Sequence, residues 1–361
     1  MAFANLHQLA SGDFSPSRMI IHIYNGRQTS ASFFLTSKLL MAFNRLQRTV
    51  SSFICLSFVA SHVAAASTLS PGDPYADPKN DPYNPLRYIT SNTLTAIAFS
   101  LILSIAISQT YCFYKWRAKW MLSMVIGGYC FAFGLSTRFG LHFHPQSKGL
   151  YIVQYLFVVL SPCAFIAADY VLLGQLARHL GADQHLTVPA RWITVAFIMS
   201  DVTTFLIQAA GGALSASANS LHTNYVGSRI FLAGLIAQLV SFVSFTCLYI
   251  LFLYRVHKRN PEIWRKDQSK AWYNDWRALG AVLFISCIGI LIRSIFRVIE
   301  LSEGYQGHLA TTESFFYGLD TLPLLIAIVV YTPFWPGRFI NNNTNNTSSP
   351  QCQEKSQLGP L

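Results

Sequence analysis

The chain of 361 residues is 52% hydrophobic and only 11% charged, whereas an ordinary soluble domain is about 25% charged. This composition excludes a soluble globular protein and indicates a membrane protein. The formal net charge of +11 would suit a nucleic-acid-binding protein. The basic residues instead concentrate in alternate loops between apolar runs, which is typical of a membrane protein and argues against nucleic acid as a partner.

The N-terminal part has three sections before the first long apolar run. Residues 1–40 show no clear pattern and are interpreted as an upstream extension of the gene model. Residues 41–66 resemble a signal peptide, because Arg45 and Arg48 precede an apolar run that ends in small residues. An additional membrane span is the alternative. Residues 67–92 are rich in Pro, Asp and Asn and are expected to form an extracellular lead-in without a core of its own.

Seven apolar segments follow, each about long enough to cross a hydrocarbon core of roughly 30 Å. By the positive-inside rule, the basic loops place the N-terminus outside and the C-terminus inside, with residues 336–361 as a disordered cytoplasmic tail. The sequence therefore predicts an all-α polytopic membrane protein with seven transmembrane helices in residues 93–335. The predicted spans are Thr93–Phe113, Trp120–Phe139, Leu150–Leu173, Arg191–Leu214, Arg229–Leu253, Leu279–Ile299 and Phe315–Phe334.

The sixth and seventh segments carry charged residues that must face protein or water, since each unpaired charge costs about 2.5–3.5 kcal/mol on insertion scales. These candidate translocation residues are Arg293, Arg297, Glu300, Glu313 and Asp320. At about 1.5 Å per residue, Arg293 and Asp320 lie at similar depth, so we expect them to pair. Arg297 is expected to pair with Glu300 or Glu313, and the group to line a cavity open to the outer leaflet. A purely structural ion-pair lock is the alternative.

Further polar residues inside the second to fifth segments extend the set of candidate site residues. They are Arg138, Gln154, Asp169, Asp201, Gln208 and Gln238. Depth counting places Gln238 near Asp201, and Gln154 level with Gln208, which favours an internal polar cluster. Hydrogen bonding that only joins neighbouring helices is the alternative for each glutamine.

The cysteines and histidines do not indicate a metal or cofactor site. Five of the cysteines fall inside spans and are interpreted as small buried apolar residues without a disulfide framework. His142 and His144 form only a His-x-His pair, and the sequence has no phosphate-binding loop. We therefore expect neither an enzyme nor an ATP-driven pump, and no cofactor.

Polar identities at fixed spacing run through the region from about Tyr83 to Phe334. The most specific stretch is IRSIFRVIE (Ile292 to Glu300), and the family-type positions after it are Gly304, Tyr305, Gly307, Glu313, Tyr317 and Asp320. In these features the chain resembles the fungal lipid-translocating exporters, the RTA-like seven-helix membrane proteins. The resemblance implies export of sphingoid long-chain bases or related lipid-like toxic amphiphiles, and a contribution to resistance. We expect a multi-pass protein of the plasma membrane.

Two positions depart from the family pattern. The stretch FAFGLSTR keeps Gly134 and Arg138 but has Phe131 and Leu135 where the family usually has Glu and Tyr. The end of the last span reads Thr332-Pro333 in place of His-Pro. The first departure removes an intramembrane carboxylate, so activity is expected to be altered or absent if that Glu carries protons or ligand in relatives.

Two functions therefore remain open from the sequence. A transporter of lipids or lipid-like small molecules is the interpretation that the resemblance favours, with membrane lipids as partners. A seven-helix membrane sensor without transport activity is the alternative. The third span ends in YVLLGQLAR, which lacks the acidic-Arg-aromatic triplet of G-protein-coupled receptors.

Overall fold

The computed structural model describes residues 75, 77–79, 81, 84–181, 190–216, 220–259, 261, 264, 275–304 and 307–340. The upstream extension at 1–40 and the signal peptide at 41–66 lie outside these residues, as does the tail beyond residue 340. Those three interpretations therefore stay predictions.

The described residues form helices joined by turns, and no strand occurs among them. Six helices are long and apolar enough to cross a membrane. They confirm the helical nature of the first six predicted spans, and most extend beyond the predicted ends. The helices are α1 (Asn92–Trp116), α2 (Leu122–Phe143), α3 (Lys148–Leu180), α4 (Ala190–Ala216), α5 (Leu221–Arg259) and α6 (Trp276–Ser302).

The seventh predicted span is helical but divided into short pieces. A helical turn at Glu313–Phe315 leads into a π-helix at Phe316–Thr321, and α7 (Leu322–Val329) continues from it. Turns then lead to α8 (Pro336–Ile340). The described part of the chain thus has six membrane-length helices and one shorter, divided segment. A π-helix is uncommon and often marks a functional position, and here it carries Asp320.

Helix α3 lies at the centre of the bundle. In its most apolar stretch 61% of the residues are buried, against 22% for α4. Residues of α3 such as Phe165 and Leu172 are fully covered, as are Leu283 and Ile290 of α6. Large apolar side chains on the outer surface stay exposed, as expected where lipid replaces water. The ends of α2, α4 and α6 lie beside the starts of α1, α3, α5 and the 313–329 segment, and we call this side of the bundle the Asn92 end.

Glycines allow α4 and α5 to approach each other at backbone distance. A Cβ atom at Gly211 would lie 2.5 Å from the backbone nitrogen of Phe231, and one at Gly227 would lie 2.5 Å from that of Ser215. Small residues at helix crossings permit such close packing in membranes. The neighbouring Gly212 has more room, because its Cβ would lie 3.5 Å from the Phe231 side chain.

Gly211→Ala is therefore expected to destabilise the α4–α5 pair, since the added methyl group meets backbone that cannot rotate away. The loss should be about 1–3 kcal/mol, the usual cost of overpacking. Thermal unfolding of the purified protein in detergent measures it, and Gly212→Ala is the matched control. Equal melting temperatures for the two variants would contradict the close approach.

Candidate functional site

Two arginines of α6 share one carboxylate on the π-helix. Arg293 Nη1 lies 2.8 Å from Asp320 Oδ2, and Arg297 Nε donates to Asp320 Oδ1 at 2.6 Å. All three residues are buried, with Asp320 at 0% exposure. The predicted Arg293–Asp320 pair is confirmed. The second arginine on the same carboxylate was not expected.

The remaining contacts of the two arginines differ. Arg297 Nη1 donates to Glu300 Oε2 at 2.9 Å, which confirms the first of the two partners predicted for it. Arg293 Nη2 donates to the backbone oxygen of Val158 at 2.6 Å, so it fastens α6 to α3. The Phe131 ring lies 5.5 Å from the Arg293 guanidinium carbon and occupies the place beside it on α2.

Glu313, the second partner predicted for Arg297, does not contact it. It pairs with Arg138 of α2, whose Nη2 donates to Glu313 Oε1 at 2.8 Å. The backbone N–H of Ser91, the N-cap residue of α1, donates to both Glu313 oxygens at 2.9 and 3.1 Å. Glu313 therefore joins the start of α1 and helix α2 to the last span.

Aromatic rings surround Arg138, which is fully buried. The Phe316 ring centroid lies 4.3 Å from its guanidinium carbon, a cation–π distance. The Tyr88 hydroxyl accepts a hydrogen bond from Nη2 at 3.2 Å. Burial raises the pKa of the Tyr88 phenol above its ordinary value of 10.0, with Arg138 opposing the shift. Tyr88 therefore stays neutral at physiological pH.

A cavity opens at the Asn92 end beside these arginines. Its empty volume, including open solvent at the mouth, is about 550 Å³. Four polar, four aromatic and six other residues line it. They are Arg138, Gln154, Arg297 and Glu300; Tyr88, Tyr151, Tyr155 and Phe316; and Pro85, Leu86, Val158, Leu301, Gly304 and Ala310.

The carboxylates Asp169 and Asp201 lie away from this cavity and accept hydrogen bonds from hydroxyl groups. Tyr331 Oη donates to Asp169 Oδ1 at 2.8 Å, and Ser286 Oγ donates to Oδ2 at 2.9 Å. Tyr170 Oη donates to Asp201 Oδ2 at 3.0 Å. Among the described residues neither carboxylate forms an ion pair with an arginine, lysine or histidine. They fix α3 to the helices around it.

The three glutamines separate into a pair and a single residue. Gln208 Nε2 donates to Gln238 Oε1 at 2.8 Å, and Gln238 Nε2 lies 3.2 Å from Cys163 Sγ. This pair joins α4 to α5, as expected for hydrogen bonding between helices. Gln154 lines the cavity instead of meeting Gln208. Gln154 and Gln208 were predicted at the same depth but do not contact each other, because depth does not define the rotation of each helix about its axis.

Sequence reasoning named Tyr317 only as a family-type position and did not predict the hydrogen bonds that tyrosines make to the buried polar groups. Tyr88 and Tyr170 are described above, and Tyr317 shares a hydrogen bond of 2.9 Å with Thr95 of α1. A buried tyrosine hydroxyl usually finds a partner. Sequence adjacency to a carboxylate would not have found these contacts, since Tyr170 follows Asp169 but donates to Asp201.

Comparison with known proteins identifies several relatives from Saccharomyces cerevisiae. Protein RTA1 is 31% identical over 208 residues, which cover 58% of this chain and 62% of the relative. Protoporphyrin uptake protein 1 is 31% identical over 199 residues, covering 55% and 62%. Sphingoid long-chain base transporter RSB1 is 22% identical over 275 residues, covering 68% and 71%. The chain thus spans less than two thirds of the first two relatives.

No solved structure matches the chain. The model of the family described as RTA1 like protein matches residues 124–343, which is more than half of the chain. This region contains nearly all of α2 and all of α3 to α8, and with them the arginines, the shared carboxylate and most of the cavity wall. The resemblance found in the sequence is confirmed, and this chain is an integral membrane protein that belongs to the RTA1-like family.

Proposed function

We propose that this protein translocates lipids or lipid-like amphiphiles of the sphingoid long-chain base type across the plasma membrane, and so contributes to resistance against toxic compounds. It acts as a carrier and not as an enzyme. The observation that carries the proposal is the cavity at the Asn92 end, whose wall combines buried charges with aromatic and apolar side chains. Such a wall suits a molecule with a polar head and an apolar chain. The printed name of RSB1 supports the substrate class.

The proposal includes seven spans with the N-terminus outside. The 313–329 segment then counts as the seventh span, and the Asn92 end faces the exterior. Basic residues at the opposite end support this orientation, since α5 ends in His257, Lys258 and Arg259. The cavity would open toward the outer leaflet.

Cysteine labelling tests this orientation on a single helix. Ser220 lies directly before α5 and Lys258 lies near its end, and both are exposed. A membrane-impermeant maleimide should label Ser220→Cys on intact cells but label Lys258→Cys only after permeabilisation. The parent protein without an added cysteine gives the background. Labelling of Lys258→Cys on intact cells would reverse the proposed topology.

Transport is tested with the purified full chain in lipid vesicles that carry a fluorescent long-chain base. Vesicles with protein should move the probe between leaflets faster than protein-free vesicles. Ala310→Trp should slow this movement, because Ala310 lies in the cavity wall and a larger side chain there narrows the mouth. Leu309→Trp is the matched control, because Leu309 is adjacent to Ala310 in the sequence but does not line the cavity. Equal rates with and without protein would refute the proposed function.

A further inference from the structure

The cavity wall holds more unpaired hydrogen-bond donors than acceptors. Arg138 donates only from Nη2, and its Nε and Nη1 have no acceptor among the described residues. Arg297 donates from Nε and Nη1, and its Nη2 has none. The only unpaired buried acceptor in the described wall is Gln154 Oε1. The surplus of donors calls for an acceptor from outside the chain.

The number of free N–H groups follows from the shape of a guanidinium, which carries one N–H on Nε and two on each Nη. Arg138 therefore offers three unpaired N–H groups and Arg297 offers two. Both side chains are more than nine-tenths buried. Leaving buried donors without acceptors is unfavourable, so a ligand that accepts from them recovers that free energy.

Aromatic rings restrict how such a ligand can approach. Phe316 lies 4.3 Å from the Arg138 guanidinium carbon, and Tyr155 lies 5.7 Å from that of Arg297. Rings that stack on a guanidinium leave its edges for hydrogen bonds in the plane. Carboxylates and phosphates match these edges, because two of their oxygens accept two parallel N–H bonds.

The opposite ligand, an ammonium group, would depend on Glu300. This residue is the only carboxylate in the described cavity wall, and its Oε2 already accepts from Arg297 at 2.9 Å. Asp320 and Glu313 lie behind the arginines and do not line the cavity. The carboxylates behind the arginines balance their charge. The surplus in the wall is therefore one of N–H donors, which favours a ligand group that accepts hydrogen bonds.

We propose that the cavity binds the anionic head group, a carboxylate or phosphate monoester, of an amphiphile. The inference rests on the proposed translocation of lipid-like amphiphiles. It differs from that proposal in the head group, since a sphingoid long-chain base carries an ammonium group and the cavity is inferred to prefer an acidic one. Arg138 and Arg297 hold the head group. The apolar wall residues Leu86, Val158 and Leu301 contact the first carbons of the chain.

Binding of matched probes to the purified full chain in detergent tests the inference. Three probes carry the same fluorescent alkyl chain with a carboxylate, a phosphate or an ammonium head. At least one acidic probe should bind about tenfold more tightly than the ammonium probe. Inorganic phosphate should compete only weakly. If inorganic phosphate competed with an affinity equal to that of the acidic probe, the cavity would be a site for free anions. This result would overturn the inference that the ligand is an amphiphile.

Two substitutions in the cavity should act in opposite directions. Arg297→Lys keeps the charge beside Asp320 but loses the free Nη2 edge, so acidic probes should bind about tenfold more weakly. Glu300→Gln removes the negative charge and keeps an oxygen for Arg297, so acidic probes should bind more tightly. Misfolding cannot produce such a gain. Arg229→Gln, an exposed arginine of α5 outside the cavity, is the control and should change nothing.

The outcomes separate this inference from the proposed function. Tighter binding of the ammonium probe, or weaker acidic binding by Glu300→Gln, would overturn the anionic head group. Faster movement of the ammonium probe than of the acidic probes across the vesicle membrane would also overturn the anionic head group. The proposed transport function would remain supported. Vesicles that move no probe, together with the expected binding pattern, would refute transport and keep the anion site.

Discussion

Asp320→Asn is expected to cost about 3–5 kcal/mol of stability, the usual result of removing one partner from a buried ion pair. Asp320 is fully buried and is shared by Arg293 and Arg297. Its loss leaves Glu300 as the only carboxylate that pairs with either arginine among the described residues. Two guanidinium groups would then lie in the bundle with one compensating charge.

The loss is measured by size-exclusion chromatography of the detergent-solubilised protein after heating to a series of temperatures. Glu303→Gln, an exposed carboxylate directly after α6, is the control and should change stability by less than about 0.5 kcal/mol. If Asp320→Asn survived heating as well as the Glu303 variant, Asp320 would not hold the two arginines. Exchanging the charges of Arg293 and Asp320 should not restore stability, because an arginine at position 320 would face Arg297.

The sequence predicted the Arg293–Asp320 contact because the two spans run in opposite directions and share a short connection. The depth of each residue in the membrane then limits which carboxylate can pair with Arg293. Depth counting could not show that Arg297 reaches the same carboxylate. That contact depends on the π-helix at Phe316–Thr321, whose wider turns change the direction in which Asp320 points. No pattern in the sequence indicated this π-helix.

Glu313 shows the same limit for a residue near the end of a span. Its predicted partner, Arg297, was chosen by depth near the outer interface, whereas the structure gives it Arg138 of α2 and the backbone of Ser91. Partners that come from distant spans require the order of helices around the bundle. The positions of apolar segments do not contain that order. The glycine pair of α4 and α5 was visible in the sequence, but its backbone contact was not.

Phe131 marks the position where the family resemblance predicts a glutamate. Its fully buried ring lies 5.5 Å from the Arg293 guanidinium carbon. A carboxylate at position 131 of α2 would therefore lie close to Arg293 of α6. In this chain Arg293, Arg297, Asp320 and Glu300 already balance in charge. Phe131→Glu alone is expected to destabilise the protein, because it adds an uncompensated buried carboxylate.

In the Asp320→Asn background, Phe131→Glu should stabilise the protein, since the new carboxylate replaces the negative charge that Asp320 supplied to Arg293. The double variant is expected to be about 1–3 kcal/mol more stable than the sum of the two single effects, the range of coupling between residues that share a partner. Thermal unfolding of the parent, both single variants and the double variant measures this coupling. Phe131→Gln in both backgrounds is the control, because it has the size of Glu without the charge and should show little coupling. Additive effects of Phe131→Glu and Asp320→Asn would mean that position 131 does not compensate Arg293, and that the family's glutamate has another partner.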